Sequence, residues 1–437
     1  MKKNLNLKSF VAIFAASTLF ACTQDSIDNL SVQTEEETEA MNEWPKRRTY
    51  EEALAVAQNA IGLLGENSTT RSGKPRSINT ADVQYIVNTS STRSTEEPDT
   101  LMYVFNYEDN AGFAVVSANR ATEELIAVTE QGNYVAGEET GNGGFDLYMD
   151  MAEEYVTMAA EPLPGIGGDD DGPVGFKQVK YETTIDTTIV GPYLNVQWGQ
   201  SMPYNSYCPQ PDGIRTAAGC VATAIAQIMS YYKYPSSITI SYENPSYNYL
   251  LDWDAILMHR SNNDCNCDNH EMIGRFIRQI GDLVNMDYGT QSGAFDKDVP
   301  YAFSVLGYKH DAYTSYSSYK LTSSLSKNKL VYMSGVRMNG DDKVGHAWVV
   351  DGYKSITYHH TEYMKEDYEL FWTITNQSTD IITYHHINWG WDGTSNGYFI
   401  KDVFDASSPN ELDEDVIFTA NRNYTIDLNI YPNIEIR

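Results

Sequence analysis

The sequence predicts an α+β chain of two folded units, and three observations carry the prediction. Its 437 residues exceed what one ordinary core serves. Apolar spacing switches along the chain between the three-and-four repeat of helices and the shorter runs of antiparallel strands. Between the two units, Glu161 to Val174 gathers Pro162, Pro164, Gly165, Gly167, Gly168, three aspartates, Gly172 and Pro173, a composition that builds no core and reads as a linker.

Taken in order, residues 1–21 read as a signal: Lys2, Lys3 and Lys8 precede the apolar run Phe10 to Ala16, which is too short to span a membrane as a mature helix. Leu19-Phe20-Ala21-Cys22 resembles a bacterial lipoprotein cleavage box, which implies Cys22 as the lipid-bearing first residue. An ordinary secretory signal cut nearby is the alternative. Residues 22–45 are polar and acid-rich and suit a flexible tether. Residues 46–160 form the first unit. Within it, Ala53, Leu54, Ala57, Ile61 and Leu64 share one helical face from Thr49 to Leu64. Strands follow at Val83 to Val87, Leu101 to Tyr107, Gly112 to Ser117 and Leu125 to Thr129, and Phe145 to Ala160 returns to helix. The linker, 161–188, is where a protease can reach the chain, and processing is expected between Pro164 and Ile189. Its Asp169-Asp170-Asp171-Gly172 lacks the remaining positions of a calcium loop.

The second unit, 189–437, holds the chemistry. In Gly219-Cys220-Val221-Ala222-Thr223, a cysteine follows a glycine where an apolar helix begins, with Val221, Ala224, Ile225, Ile228, Met229 and Tyr232 on one face and Pro235 beyond its end. At a helix N-terminus the free N–H groups and the macrodipole favour a thiolate, a nucleophile; the bland alternative is a small buried hydrophobe. Downstream, Gly345-His346-Ala347-Trp348-Val349-Val350-Asp351-Gly352 reads as a strand carrying one histidine near its start, and Ile387-Asn388-Trp389-Gly390-Trp391 sets an asparagine beside two tryptophans. Cysteine, then histidine, then asparagine, far apart in sequence, is the order of a papain-like site. Further strands are expected at Leu330 to Val336, Leu370 to Thr375, Ile381 to Asn388 and Tyr398 to Ile400, and a helix at Met272 to Val284.

Four blocks then carry a more specific likeness: Trp198-Gly199-Gln200-Ser201 through Pro209; Gly219 to Ala224 with Gln227, Met229, Tyr232, Tyr234 and Pro235; Gly345-His346-Ala347 with Asp351-Gly352; and Asn388 to Trp391 with Gly397-Tyr398-Phe399. In this order they resemble the streptopain family of cysteine peptidases, while Leu101 to Tyr107 and Gly112 to Ala118 are similar to that family's inhibitory propeptide. The resemblance implies a papain-like catalytic domain, a helical half facing an antiparallel sheet half, behind a small α+β prodomain. It implies a cysteine endopeptidase made as a zymogen, with Cys220 as nucleophile and His346 as its proton partner. Gln200 and the Cys220 N–H are implied as oxyanion donors. Asn388 or Trp389 is implied to orient the His346 ring, the choice between them staying open. Gly345 and Ser292 are candidate substrate contacts.

Protein or peptide substrates and the chain's own propeptide are the partners this reading names, with a lipid anchor to the cell envelope and no cofactor or metal. A formal charge of −30 argues against nucleic acid. Cys208, Cys265 and Cys267 follow no zinc spacing, and their disulfide state stays open. His359-His360 and His385-His386 are adjacent pairs, whose side chains on a strand point opposite ways. Two other classes of function use the same residues differently: a thiol amidase or acyltransferase acting on cell-wall peptides, and an inactive binding protein on a peptidase scaffold.

Overall fold

A computed structural model describes residues 47–70, 73–88, 100–159, 177–258, 261, 270–339, 342–366, 371–407 and 425–437. The expected signal, Cys22, the tether, linker residues 161–176, Cys265 and Cys267 lie outside the described residues.

Helix α1 (Tyr50–Ala60) opens on a capping box, Thr49 and Glu52 each bonding the other's backbone N–H, and runs into a 3-10 turn to Ser68. Strands β1 (Ile78–Val87), β2 (Thr100–Tyr107), β3 (Phe113–Ser117) and β4 (Leu125–Thr129) form an antiparallel meander. Helix α2 (Gly143–Met158) follows, capped by Asn142. The second unit contributes β5 (Lys177–Val190), α3 (Cys220–Tyr232), the hairpin β6 (Ser237–Ile240) and β7 (Tyr247–Leu250), and the helices α4 (Trp253–Leu257), α5 (Glu271–Leu283), α6 (Val299–Val305) and α7 (Ser318–Leu325), with β8 (Tyr308–Lys309) and β9 (Thr314–Ser315) between the last two. Its sheet is built from β10 (Val331–Asn339), β11 (Asp342–Glu366), β12 (Thr373–Asn388), β13 (Gly397–Ile400) and β14 (Thr425–Tyr431), with α8 (Lys401–Ser407) after β13 and β15 (Glu435–Ile436) closing the chain.

The two units share one sheet. Its order is β1-β2-β3-β4-β13-β12-β11-β10-β14-β9, the joint being the pairing of Gly397 to Phe399 on β13 with Thr129 to Ala127 on β4. Side chains alternate across it. Ala347 and Val349 of β11 pack into the helical half around α3 and α5, while Trp348 and Val350 pack on the opposite face with α1, α2 and the β2–β4 meander. The sheet of the second unit is therefore covered by the helical half on one face and by the N-terminal unit on the other.

One boundary differs from the sequence expectation. Residues 177–188, expected as the end of the linker, belong to β5, which pairs with β11 from Tyr353↔Val190 to Glu366↔Lys177. The run is rich in threonine, with Val179, Tyr181, Ile185 and Ile189 spread along it, β-branched and aromatic residues that fit a pleated surface. Its polar content made it read as exposed chain. Exposed it is, but hydrogen-bonded along its length in a three-stranded blade with β11 and β12.

Candidate active site

The N-terminus of α3 is set by Gly219, whose backbone lies at φ +91°. A Cβ there would sit 2.5 Å from both Sδ and Cε of Met286, so glycine alone fits without displacement. Thr223 closes the turn, its hydroxyl donating to the Gly219 carbonyl at 3.0 Å. From Cys220 to Ser230 every residue of α3 is buried, which fixes the first turn rigidly against the sheet. Cys220 is the first helical residue, and its sulfur accepts hydrogen bonds from the backbone N–H groups of Val221 and of Ala347 on β11.

Strand β11 brings His346 to that sulfur. The register Gly335↔His346 places the histidine inside the sheet, and its side chain hydrogen-bonds the Cys220 thiol. The Nε2 atom donates to the Trp389 carbonyl oxygen at 2.9 Å. A carbonyl only accepts, so Nε2 carries the proton and Nδ1 is the atom left for the sulfur. The ring stacks on Trp348 at 6.3 Å and meets the edge of Trp391 at 6.3 Å. Burial pushes the Cys220 thiol up, but the His346 charge and hydrogen bond outweigh it and the thiol ends below its ordinary range. Burial lowers His346, and Cys220 and the Trp389 carbonyl outweigh it to leave the imidazole raised. Both shifts favour a thiolate–imidazolium pair.

The other candidates are placed as follows. Trp389 orients the ring through its main-chain oxygen, while its indole is fully buried, donates to Ser395 O at 2.9 Å and packs on Trp348 and Phe399. Asn388 does not reach the histidine: its amide donates to Val196 O at 2.8 Å and its Oδ1 accepts from Gly390 N at 3.1 Å, so it ties the turn to the chain leading into Trp198. Gln200 runs beside the segment entering α3, its carbonyl accepting from Ala218 N at 2.9 Å. Ser292 spends its hydroxyl on Ala217 O at 2.7 Å and accepts from Gly289 N at 3.1 Å, which clamps the loop to the segment entering α3. Gly345 is exposed beside His346, on the strand next to Val336. Cys208 is a buried free thiol pushed up to about 11 by burial, unlike Cys220.

Two participants escaped the sequence reading, the Ala347 N–H on the sulfur and the Trp391 edge on the histidine, as did a buried trio centred on His386 of β12. His386 Nδ1 lies 2.6 Å from Asp351, and its Nε2 lies 3.5 Å from Glu130 of the first unit. Despite burial, the two carboxylates raise His386 to about 10. Its neighbour His385 faces the other way, bonded to Tyr316 at 2.9 Å, and burial lowers it to about 3. Among the described residues no group of three or more His, Cys, Asp or Glu is placed to hold a metal ion.

Helix α2 of the first unit lies directly over this site. A Cβ on Gly144 would fall 2.5 Å from His346 Cδ2 and 2.6 Å from Trp389 Cε3, and Phe145 meets the Trp389 ring edge-on at 6.4 Å. Gln131 Nε2 donates to Gln197 at 2.9 Å, and Lys354 of β11 donates to Leu63 O.

Comparison with known proteins finds two family matches along the chain. Residues 198–399 match the Peptidase C10 family and residues 45–156 match the Spi protease inhibitor family. The chain is 25% identical over 345 residues to streptopain of Streptococcus pyogenes, spanning 70% of this chain and 75% of streptopain. It is 25% identical over 353 residues to the thiol protease/hemagglutinin PrtT of Porphyromonas gingivalis, spanning 72% of this chain and 35% of PrtT. Among solved structures, a prointerpain A fragment of Prevotella intermedia is similar at a TM-score of 0.49 and 23% identity, covering 80% of this chain and 98% of the fragment. The family and sequence matches support a cysteine endopeptidase, a hydrolase, preceded by an inhibitor-type propeptide domain.

Proposed function

We propose that this cysteine endopeptidase works through a Cys220–His346 dyad and a thioester intermediate, and that it is exported as a zymogen anchored to the cell envelope through a lipid on Cys22. The observation that carries the reading is the thiol at the head of α3, hydrogen-bonded to an imidazole whose far nitrogen is pinned by Trp389 O.

The Cys220 sulfur attacks the carbonyl carbon of the substrate, and its electrons move onto the carbonyl oxygen. The Cys220 N–H and the Gln200 amide are the donors assigned to that oxyanion, a contribution of about 2.7–4 kcal/mol for one such donor. As the tetrahedral centre collapses the carbon–nitrogen bond breaks, and the imidazolium of His346 hands its proton to the departing amine. A water then gives a proton back to His346 and attacks the thioester, releasing the acid and the thiol. Before processing, α2 blocks this sequence by occupying the space over His346 and Trp389. With β5 held in the sheet, processing upstream of Lys177 leaves the peptidase domain intact.

The test is Cys220→Ala in the full chain, followed for processing and for casein hydrolysis. Both stop if the reading holds; a variant that matures and degrades casein like the parent defeats it. Metabolic labelling with a fatty acid, lost in Cys22→Ala, tests the anchor separately.

A further inference from the structure

We propose that Asp392 is a specificity residue on the leaving-group side of the cleft, selecting a lysine or arginine just after the bond to be cut; this rests on the Cys220–His346 reading above.

His346 protonates the departing amine, so the part of the substrate that leaves first passes along the His346 side of the cleft. Trp391 stands there, edge-on to the imidazole at 6.3 Å, and Asp392 is the next residue. Its backbone is left-handed, φ +54°, a conformation that aspartate and asparagine tolerate better than most residues. That turn lays the carboxylate against Gly199: a Cβ on Gly199 would lie 2.4 Å from each of its oxygens. Glycine at 199 leaves the room the carboxylate occupies, immediately before Gln200.

The carboxylate is in place but poorly served. Its Oδ1 is closed to solvent and has no hydrogen-bond partner, and burial alone holds the acid up at about 6. No lysine or arginine among the described residues forms an ion pair with it. Structural carboxylates here look different: Asp351 is bonded by His386 and by Leu194 N, and Asp296 by the hydroxyls of Tyr313, Tyr332 and Ser334. An unpaired carboxylate oxygen withdrawn from water is costly, and an ammonium or guanidinium brought by the substrate supplies both the missing donor and the missing charge. Asp392 as a whole is only half-buried. In the precursor the first unit stands over this place, a Cβ on Gly141 lying 3.9 Å from Trp391 Cζ2. The subsite therefore opens with the active site when that unit leaves.

The test uses the full chain carried through processing and a peptide series identical except for one residue, Lys, Gln or Glu, at the first and second positions after the cleaved bond. The expected result is a preference of about tenfold in kcat/KM for Lys over Gln at one of these positions, with Glu disfavoured. In Asp392→Asn, which keeps shape and backbone tolerance, the Lys preference disappears while the Gln peptide is cleaved within about threefold of the parent rate. No Lys preference in the parent, or one that survives in Asp392→Asn, overturns the assignment. Cleavage of the Gln peptide, and its loss in Cys220→Ala, reports on the dyad independently of either outcome.

Discussion

Gly144 is the point where the first unit presses hardest on His346 and Trp389, and replacing it with alanine gives a measurable release. The added Cβ would lie 2.5 Å from His346 Cδ2 and 2.6 Å from Trp389 Cε3. Carbon atoms pack at about 3.5–4.0 Å, so roughly 1 Å of separation must be found. Neither neighbour yields readily, because His346 is pinned at Nε2 and the Trp389 indole is buried with its N–H on Ser395 O. The helix must lift instead. Overpacking of this kind costs about 1–3 kcal/mol, against which alanine recovers at most about 1 kcal/mol of helix propensity over glycine. The net, about 1 kcal/mol, shifts the opening equilibrium of the precursor some fivefold, and cleavage that follows fast opening tracks that equilibrium. The internal control is Gly143→Ala: its Cβ meets His346 Nδ1 at 3.9 Å, an ordinary contact, and it gains the same helix propensity without the clash. The assay is the half-life of the full-length chain on a denaturing gel. Gly144→Ala should shorten it several-fold relative to Gly143→Ala; equal half-lives would refute α2 as the element that holds the site shut.

Three further outcomes follow from the same geometry. In the processed enzyme, alkylation of Cys220 by iodoacetamide should rise with pH through a midpoint below that of a free thiol, and His346→Ala should move the midpoint upward, because the largest influence opposing burial is then gone; an unmoved profile removes the ion pair. Gly219→Ala should reduce kcat/KM at least about a hundredfold, and Met286→Ala in the same chain should restore only part of it, since the positive φ remains strained after the clash is relieved. His386, raised to about 10 from 6.5, contributes stability that is full below about pH 6.5 and is lost as pH rises through about 10. Thermal melting of the Cys220→Ala precursor at pH 6 and pH 9.5 should therefore show a larger fall than in the same chain with His386→Asn, and a smaller fall with Glu130→Gln, which removes one of the two carboxylates raising His386.

How much of this was legible varies by the kind of atom involved. The start of α3 was readable because it is a matter of side chains: an apolar helical face and a glycine before the cysteine. The partner of His346 was not, because the group that orients it is a main-chain carbonyl, which every residue carries and no motif marks. Asn388, the residue type that invites the role, spends its amide on Val196 O and Gly390 N instead. Ser292 likewise presents a hydroxyl in the right loop but turns it to Ala217 O. Strand β5 was hidden by polarity, since both faces of the blade meet solvent and its threonines read as loop. The residue the Asp392 carboxylate lies against, Gly199, is far away in sequence, so only the fold reveals how that carboxylate is placed.

The run Ala347-Trp348-Val349-Val350 contained the strongest signal that the two units share a sheet. A strand with one wet face alternates apolar with polar residues; four consecutive apolar residues say that both faces are covered. The helical half accounts for Ala347 and Val349. Something else had to cover Trp348 and Val350, and Ile387, Trp389, Phe399 and Phe404 lie on that same side, all buried against Phe145, Tyr148 and their neighbours in the first unit. Holding the precursor together and keeping its site closed are thus one interaction. Any substitution that loosens α2 from this face should shorten the life of the precursor and lower its melting temperature together, and a variant that separates the two effects would locate the block elsewhere.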